Sequence, residues 1–273
     1  MSSVRGAIRQ GAYILAEAGV DSPTPDAKEL MESIVGEIFT APATLSPAQE
    51  REFFTLVGKR ASRIPLQYLT GKMYFRRRTL KAAEGVFIVR PETEMVAESA
   101  IAAAREVARP LGYREGAVRV VDLCAGSGAI AGAVADEIPG AKVWAVEMDP
   151  KAYALAKENL QGLQVELVCA DATSAETMRN LDGSIDVVVS NPPYVPEGDV
   201  AQAEALCDPP SALYGGGSNG LEIPCQIIDR AARLLRDGGV LVMEHAPSQG
   251  ADLCAHARKM GYVQPCIMKD LTG

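Results

Sequence analysis

Val118-Arg-Val-Val-Asp122-Leu-Cys124-Ala125-Gly126-Ser127-Gly128-Ala-Ile-Ala131 joins a β-branched run to two closely spaced glycines and then to an alanine-rich stretch. Residues 118–123 read as a buried strand. Gly126 and Gly128 let the backbone turn sharply and come close to a ligand. Residues 129–137 then read as a helix. Strand, glycine turn and helix in that order open a parallel α/β unit whose ligand lies at the strand's carboxyl end.

The alternation continues outward from this stretch. Strands are expected at 142–147, 164–169, 185–190 and 239–244, with helices at 150–160, 225–236 and 251–260. Tyr262 to Met268 reads as a last strand. Such a pattern gives an α/β domain with a mostly parallel sheet and helices on both faces. Gly215-Gly-Gly-Ser-Asn-Gly220 is the one low-complexity patch and reads as a flexible surface loop.

The run Ile185-Asp-Val-Val-Val-Ser190 is followed at once by Asn191-Pro192-Pro193-Tyr194. A polar side chain and two prolines thus stand where a parallel strand ends. Proline lacks an N–H and restrains the residue before it to extended geometry. The turn therefore offers two acceptors, the Asn191 side-chain oxygen and the Pro192 carbonyl, beside the aromatic wall of Tyr194. That combination suits a planar NH2 group.

Glu147 ends the second expected strand, where a carboxylate can accept from both hydroxyls of a ribose. The pattern fits a dinucleotide fingerprint almost as well as S-adenosylmethionine (SAM). Three features tip it toward SAM. Asp122 precedes the glycine loop, where a phosphate is repelled and a cationic aminoacyl end is not. Asp171 follows the third strand, placed to accept from an adenine amino group. Asn191 to Tyr194 stands where a methyl acceptor belongs.

The chain has 273 residues, 48% of them apolar, enough for one α/β domain and a smaller partner. No apolar run reaches the ~18 residues of a membrane span, and the N-terminus lacks a signal peptide's apolar core. Six dispersed cysteines without a Cys-x-x-Cys pair argue for reduced thiols and a cytoplasmic location. With two histidines no metal site is expected. A net charge of −8 argues against non-specific binding to phosphate backbones, so no direct nucleic-acid substrate is expected.

Residues 1–70 read as a small helical bundle suited to substrate recognition. Gly19 stops a first helix, Ser22-Pro-Thr-Pro breaks the chain, and a second helix spans 26–39. Ser46-Pro47, with Gln49 and Glu50, starts a third that runs to about residue 62. Residues 71–90 read as a connecting β-hairpin with Glu84-Gly85 as its turn, and 91–273 as the catalytic domain. Arg76-Arg-Arg78 reads as a solvated edge, with a contact to RNA or an acidic partner as the sharper alternative. Pro91 opens a helix through about residue 109.

These stretches together resemble the release factor glutamine methyltransferases, the HemK/PrmC family. The resemblance rests on Arg63-Ile-Pro-Leu-Gln-Tyr-Leu-Thr-Gly71, Arg90-Pro-Glu-Thr-Glu94, Asp122 to Gly128, Ser190 to Tyr194, Asp208-Pro-Pro-Ser-Ala212, Gly220-Leu221 and Gln249-Gly250. It implies a Rossmann-like, SAM-dependent methyltransferase fold acting on the glutamine of the Gly-Gly-Gln loop of peptide chain release factors, as a monomer. By position it puts SAM on Cys124, Ala125, Gly126, Ser127, Gly128, Glu147, Asp171, Ala172 and Asn191. The glutamine pocket falls on Asn191, Pro192, Pro193 and Tyr194, with Phe87 and Arg90 nearby. The sequence departs from the family at Val89, Cys124-Ala125, Ala172 and Ala246. The family also continues past Asp270-Leu-Thr-Gly273 into a strand that inserts antiparallel, so an exposed sheet edge is expected, from a shortened chain or an impaired copy.

The residues leave alternatives. An adenine or cytosine amino-methyltransferase shares Asn-Pro-Pro-Tyr but needs a nucleic-acid-binding region. A non-catalytic, SAM-dependent binder of release factors and a NAD-linked oxidoreductase are further readings.

Overall fold

A computed structural model describes residues 2–40, 42–199 and 203–269. The chain divides into two compact units, one of Met1–Lys72, Ala82–Glu84 and Ala201–Cys207, the other of Met73–Lys81, Gly85–Val200 and Asp208–Gly273.

The first unit is built on helices α1 (Val4–Glu17), α2 (Pro23–Val35), α3 (Pro47–Ala61) and the short α4 (Leu66–Thr70). Leu15, Leu30, Met31, Phe53 and Val57 form its core. Ser46 caps α3 and shares a reciprocal capping box with Gln49, which the sequence pattern anticipates. The Ser22-Pro-Thr-Pro run does not break the chain. Pro23 and Pro25 lie in the first turn of α2, where a helix needs no N–H from them, and the helix ends earlier than expected, at Gly36. Asp26 and Arg60 form a buried ion pair at 2.7 Å, and Arg60 Nη1 also donates to Glu204 at 2.9 Å.

The second unit opens with a hairpin of β1 (Lys72–Phe75) and β2 (Arg78–Lys81). Its turn falls at Arg76-Arg77, not at Glu84-Gly85. Arg76 takes a left-handed φ of 53°, which is unfavourable for a side chain of this size. Tertiary contacts hold it there. The Arg76 N–H donates to Glu94 at 2.8 Å, and its guanidinium donates to Glu137 at 2.5 and 2.9 Å and to Glu98 at 2.5 Å. Arg78 donates to the Asn159 carbonyl at 2.8 Å. Two of the three arginines expected at a solvated edge are thus spent inside the unit.

Beyond the hairpin come α5 (Thr93–Leu111), β3 (Val118–Leu123), α6 (Ala129–Glu137), β4 (Ala141–Glu147), α7 (Pro150–Asn159), β5 (Val165–Cys169) and β6 (Ile185–Ser190). The chain closes with α8 (Pro210–Leu213), α9 (Glu222–Leu234), β7 (Leu235–Met243) and α10 (Gly250–Lys259). Helix α9 begins three residues before the expected start, because Pro224 is tolerated in a first turn. The five-stranded sheet has the order β5-β4-β3-β6-β7, with every pairing parallel. The chain winds from β3 outward to β5, then crosses to β6 and β7. The direction of winding reverses between β3 and β6, the place where open α/β sheets bind ligands. Strand β6 is buried at every residue. The Ser190 hydroxyl donates to the Leu123 carbonyl at 2.7 Å and joins the two strand ends.

Two further expectations fail in this unit. Tyr262 to Met268 forms no strand. Gln264 has φ 53°, Pro265 follows, and Val263 is 86% exposed, so the segment has neither the backbone nor a ladder partner for pairing. Among the described residues β7 is therefore an edge strand; residues 270–273 lie outside them. Gly215 to Gly220, expected as a flexible surface loop, is tightly packed. A Cβ on Gly220 would lie 2.2 Å from the Tyr194 carbonyl oxygen, and one on Gly215 would lie 2.1 Å from the Gly220 carbonyl oxygen. Gly215 N–H donates to Val195 O at 3.0 Å, and the Tyr194 and Val195 N–H groups donate to Leu213 O at 3.1 and 2.8 Å. The glycines are there because backbone must touch backbone.

Two outcomes are expected. Gly220→Ala should destabilise the protein by about 2–4 kcal/mol, combining overpacking with left-handed strain. Gly217→Ala shares the φ of 68° but meets only the movable Glu222 side chain, and should lose less. Urea unfolding of the two variants decides; equal losses contradict close packing at Gly220. Glu137→Gln should cost about 3 kcal/mol at pH 7, as for breaking a buried ion pair. The Arg76 hydrogen bond holds the Glu137 carboxyl below its ordinary value of 4.5. The stabilisation is therefore complete above pH 4.5 and is lost as pH falls through the lower folded value. Unfolding curves for wild type and variant should converge over that acid range.

Candidate active site

The site grows from the ends of β3, β4, β5 and β6. After β3, Cys124 takes φ 63°, Gly126 φ 54° and Gly128 φ 80°, so the loop folds back before α6 begins. Cys124 is the costly member, since a non-glycine residue in this region is strained. Burial pushes its thiol pKa up, away from a reactive thiolate. Gly128 lies against Leu160, with 3.0 Å from a built Cβ to that side chain. Ser127 is buried and its carbonyl accepts from Asn159 at 3.0 Å.

Asp122 is fully buried beneath the loop. Its Oδ2 accepts from the Ala131 N–H at 2.9 Å, while Oδ1 is buried with no partner. Burial raises its pKa to about 8. A buried carboxyl oxygen without a partner calls for a donor, and a cationic one would draw the group back to its ionised form. Glu147, at the end of β4, accepts from Gly126 N–H and from Asp149 N–H, both at 2.7 Å. Its pKa is raised, chiefly by burial, with these N–H groups opposing. Each carboxylate oxygen keeps a further lone pair for a hydroxyl. Asp171, after β5, is exposed, and its Oδ1 accepts from the Thr173 N–H at 2.8 Å and hydroxyl at 2.7 Å. It therefore caps its own turn, with Ala172 buried beside it. A side chain at Gly126 would meet no protein atom within 4 Å, so the space beside the loop is open. A buried carboxyl oxygen in want of a donor, a carboxylate with acceptor capacity to spare and an open glycine edge fit SAM.

The acceptor side lies after β6. Asn191 is half-buried and Pro192 buried. The Asn191 Nδ2 group donates to the Thr93 hydroxyl oxygen at 3.1 Å, across 98 residues. The Tyr194 hydroxyl donates to Glu244 Oε1 at 3.0 Å. Burial, then the charge of Glu244, raises the Tyr194 pKa, so the ring keeps its proton. Buried Gln249 donates to the carbonyls of Tyr194 at 2.7 Å and Asn219 at 2.9 Å, fixing two loops with one side chain. Phe87 and Arg90 lie together, the guanidinium 5.2 Å from the ring centroid. Arg90 also pairs with Asp208, whose other oxygen accepts from the Ile88 N–H at 3.2 Å. Arg90, Thr93 and Glu94 of the Arg-Pro-Glu-Thr-Glu stretch therefore each hold a different part of the unit.

Sequence reasoning identified the loop residues but missed Thr93, Glu244, Gln249 and Asp208 as parts of the site's framework. Thr93, Gln249 and Asp208 stand in the stretches that carry the family resemblance. Glu244 gave no signal of its own. Among the described residues no three metal-ligating side chains cluster, and no helix is long and apolar enough to cross a membrane.

Comparison with known proteins bears on the same residues. Residues 6–71 match the PrmC N-terminal domain, and residues 109–218 match the methyltransferase small domain. The chain is 41% identical to the release factor glutamine methyltransferase of Bifidobacterium longum, over 97% of this chain and 95% of that one. The enzyme of the same name from Streptomyces coelicolor is 40% identical, over 93% of this chain and 88% of that one. That of Mycolicibacterium smegmatis is also 40% identical, over 100% and 95%. With an unpartnered carboxyl oxygen under a glycine loop and an Asn-Pro-Pro-Tyr turn at the reversal of its sheet, this chain belongs to the release factor glutamine methyltransferase family.

Proposed function

We propose that this protein methylates the side-chain amide nitrogen of the glutamine in the Gly-Gly-Gln loop of peptide chain release factors, using SAM and working in the cytoplasm. The observation that carries the reading is the orientation of Asn191. Its NH2 group donates inward to Thr93, which leaves the amide oxygen to accept from a substrate. The Pro192 carbonyl is the second acceptor, and Tyr194 the wall against which an amide plane rests.

When bound, SAM supplies an electrophilic methyl group on a sulfonium sulfur. Asp122 would face its cationic end, the loop Cys124 to Gly128 would hold its middle, Glu147 would take the ribose hydroxyls, and Asp171 and Ala172 would hold the adenine. An amide nitrogen is a poor nucleophile because its lone pair is delocalised into the carbonyl. Asn191 and Pro192 would each accept one N–H, hold the nitrogen toward the methyl group and stabilise the charge that grows on it. The methyl group would pass from the sulfonium to the amide nitrogen so held, and one N–H proton would then leave to water. No basic side chain is required.

Residues 1–70 select the protein partner in this reading. A pocket of three residues cannot separate a release factor from free glutamine, and a second contact raises the local concentration of the target loop. The bundle leaves Tyr13 and Phe39 exposed. A nucleic-acid substrate is disfavoured by the net charge and by the internal pairing of Arg76 and Arg78.

Labelled SAM offered with a release factor, a Gly-Gly-Gln peptide or duplex DNA tests the function. Label is expected in the factor and, more weakly, in the peptide; label only in DNA overturns the proposal. Asn191→Ala should lower methyl transfer by about 10²–10³-fold while SAM affinity changes far less. Turnover near the wild-type rate would remove Asn191 from the mechanism. Glu147→Ala should weaken SAM binding by about 1.5–3 kcal/mol, the loss expected for hydrogen bonds to a charged group. Calorimetry finding unchanged affinity would show that Glu147 serves only the loop.

A further inference from the structure

We infer that Glu244 is a positioning residue whose carboxylate, acting directly and through the Thr93 hydroxyl, turns the Asn191 amide so that its oxygen faces the substrate. The inference rests on the reading that Asn191 accepts a hydrogen bond from the substrate amide.

The amide of asparagine is nearly symmetrical in shape, so packing alone does not choose between its two orientations. Only the hydrogen-bond partners behind it choose. If the oxygen turned inward, the NH2 group would face the pocket. Two donors would then oppose the two donors of a glutamine amide, and the site could not hold its substrate.

Glu244 lies at the carboxyl end of β7, immediately after Met243, and its N–H donates to the Ser190 carbonyl at 3.0 Å. Its head is thereby fixed beside the residue that precedes Asn191. An ionised carboxylate accepts and never donates. Its Oε1 takes the Tyr194 hydroxyl, and its Oε2 is buried with no partner at hydrogen-bond distance. The Thr93 and Asn191 side chains stand beside this carboxylate and oppose the rise in its pKa that burial causes. A buried oxygen in want of a donor favours N–H over C=O in the group that faces it.

Thr93 enforces the same choice. Its side chain is fully buried and has one proton. In the inferred arrangement the unpartnered Glu244 oxygen takes that proton, and only lone pairs remain toward Asn191. The observed contact, Asn191 Nδ2 to Thr93 Oγ1 at 3.1 Å, is the arrangement this requires. One carboxylate therefore sets the Tyr194 hydroxyl, the Thr93 hydroxyl and the Asn191 amide together.

Glu244→Gln keeps the shape and adds a donor. The new NH2 can donate to Thr93, Thr93 can then donate to the Asn191 oxygen, and the amide is free to turn. With a Gly-Gly-Gln peptide as substrate, kcat should fall about 10²-fold, the scale of a mispositioned reacting group. SAM affinity and Tm should stay near wild type. Thr93→Val should lower kcat similarly, Thr93→Ser should restore it, and the double variant Glu244→Gln/Thr93→Val should lose no more than the worse single one, since both act on one unit. A second readout needs no turnover. The Asn191 side-chain NH2 signals, identified by their loss in Asn191→Asp, should be protected from exchange in the wild type and exposed in Glu244→Gln. If Glu244→Gln fails to fold, Thr93→Val and Thr93→Ser carry the same test. Turnover by Glu244→Gln within threefold of wild type, additive losses in the double variant, or unchanged exchange each overturns the inference. If the wild type methylates no release factor, the proposed function falls, and the exchange readout alone then decides the orientation.

Discussion

The parallel pairing of β3 with β6 is the constraint on which the rest depends. Leu123 lies opposite Ser190, so the residues that follow each strand emerge side by side. A glycine loop leaves one strand end and Asn191-Pro-Pro-Tyr194 leaves the other. The loop after β3 and the Asn-Pro-Pro-Tyr turn after β6 are close because two buried strands stop at the same level. The Ser190 hydroxyl on the Leu123 carbonyl fixes that level. A slip of one residue in this pairing would turn every side chain of β6 to the opposite face.

Around this edge a framework of polar side chains holds the loops without any of them needing to touch a substrate. Gln249 draws in Tyr194 and Asn219, Asp208 draws in Ile88 and Arg90, and Glu94 draws in the hairpin turn through Arg76. Each is a short hydrogen bond between elements far apart in the chain. The proposed mechanism uses no base, and rigid support of this kind is what it demands. When catalysis consists of aiming a weak nucleophile, the precision of the acceptors is most of the rate.

The legible parts were those written in local pattern. Val118–Leu123 and Ile185–Ser190 have the expected bounds, because a β-branched run bounded by breakers leaves little latitude. The glycine loop and the Asn-Pro-Pro-Tyr turn were legible for the same reason. What escaped was non-local. The hairpin turn at Arg76 depends on three glutamates from α5 and α6, 18 to 61 residues away. Tyr262 to Met268 has strand composition and no partner, and composition does not announce a partner's absence. Thr93 and Glu244 are single polar residues whose roles exist only through contacts spanning 98 and 50 residues.

The glycine run at 215–220 has a consequence for motion. Loops that carry binding residues usually open with little free energy, apart from the core. Here the Tyr194, Val195 and Gly215 amides are bonded into a layer of backbone whose surfaces meet without side chains between them. Such a layer cannot breathe residue by residue, since lifting one strand of it strips the carbonyls of the other. The acceptor loop should therefore open only when the sheet edge beneath it opens, sharing the slow fluctuations of the core and not the fast ones of a surface turn.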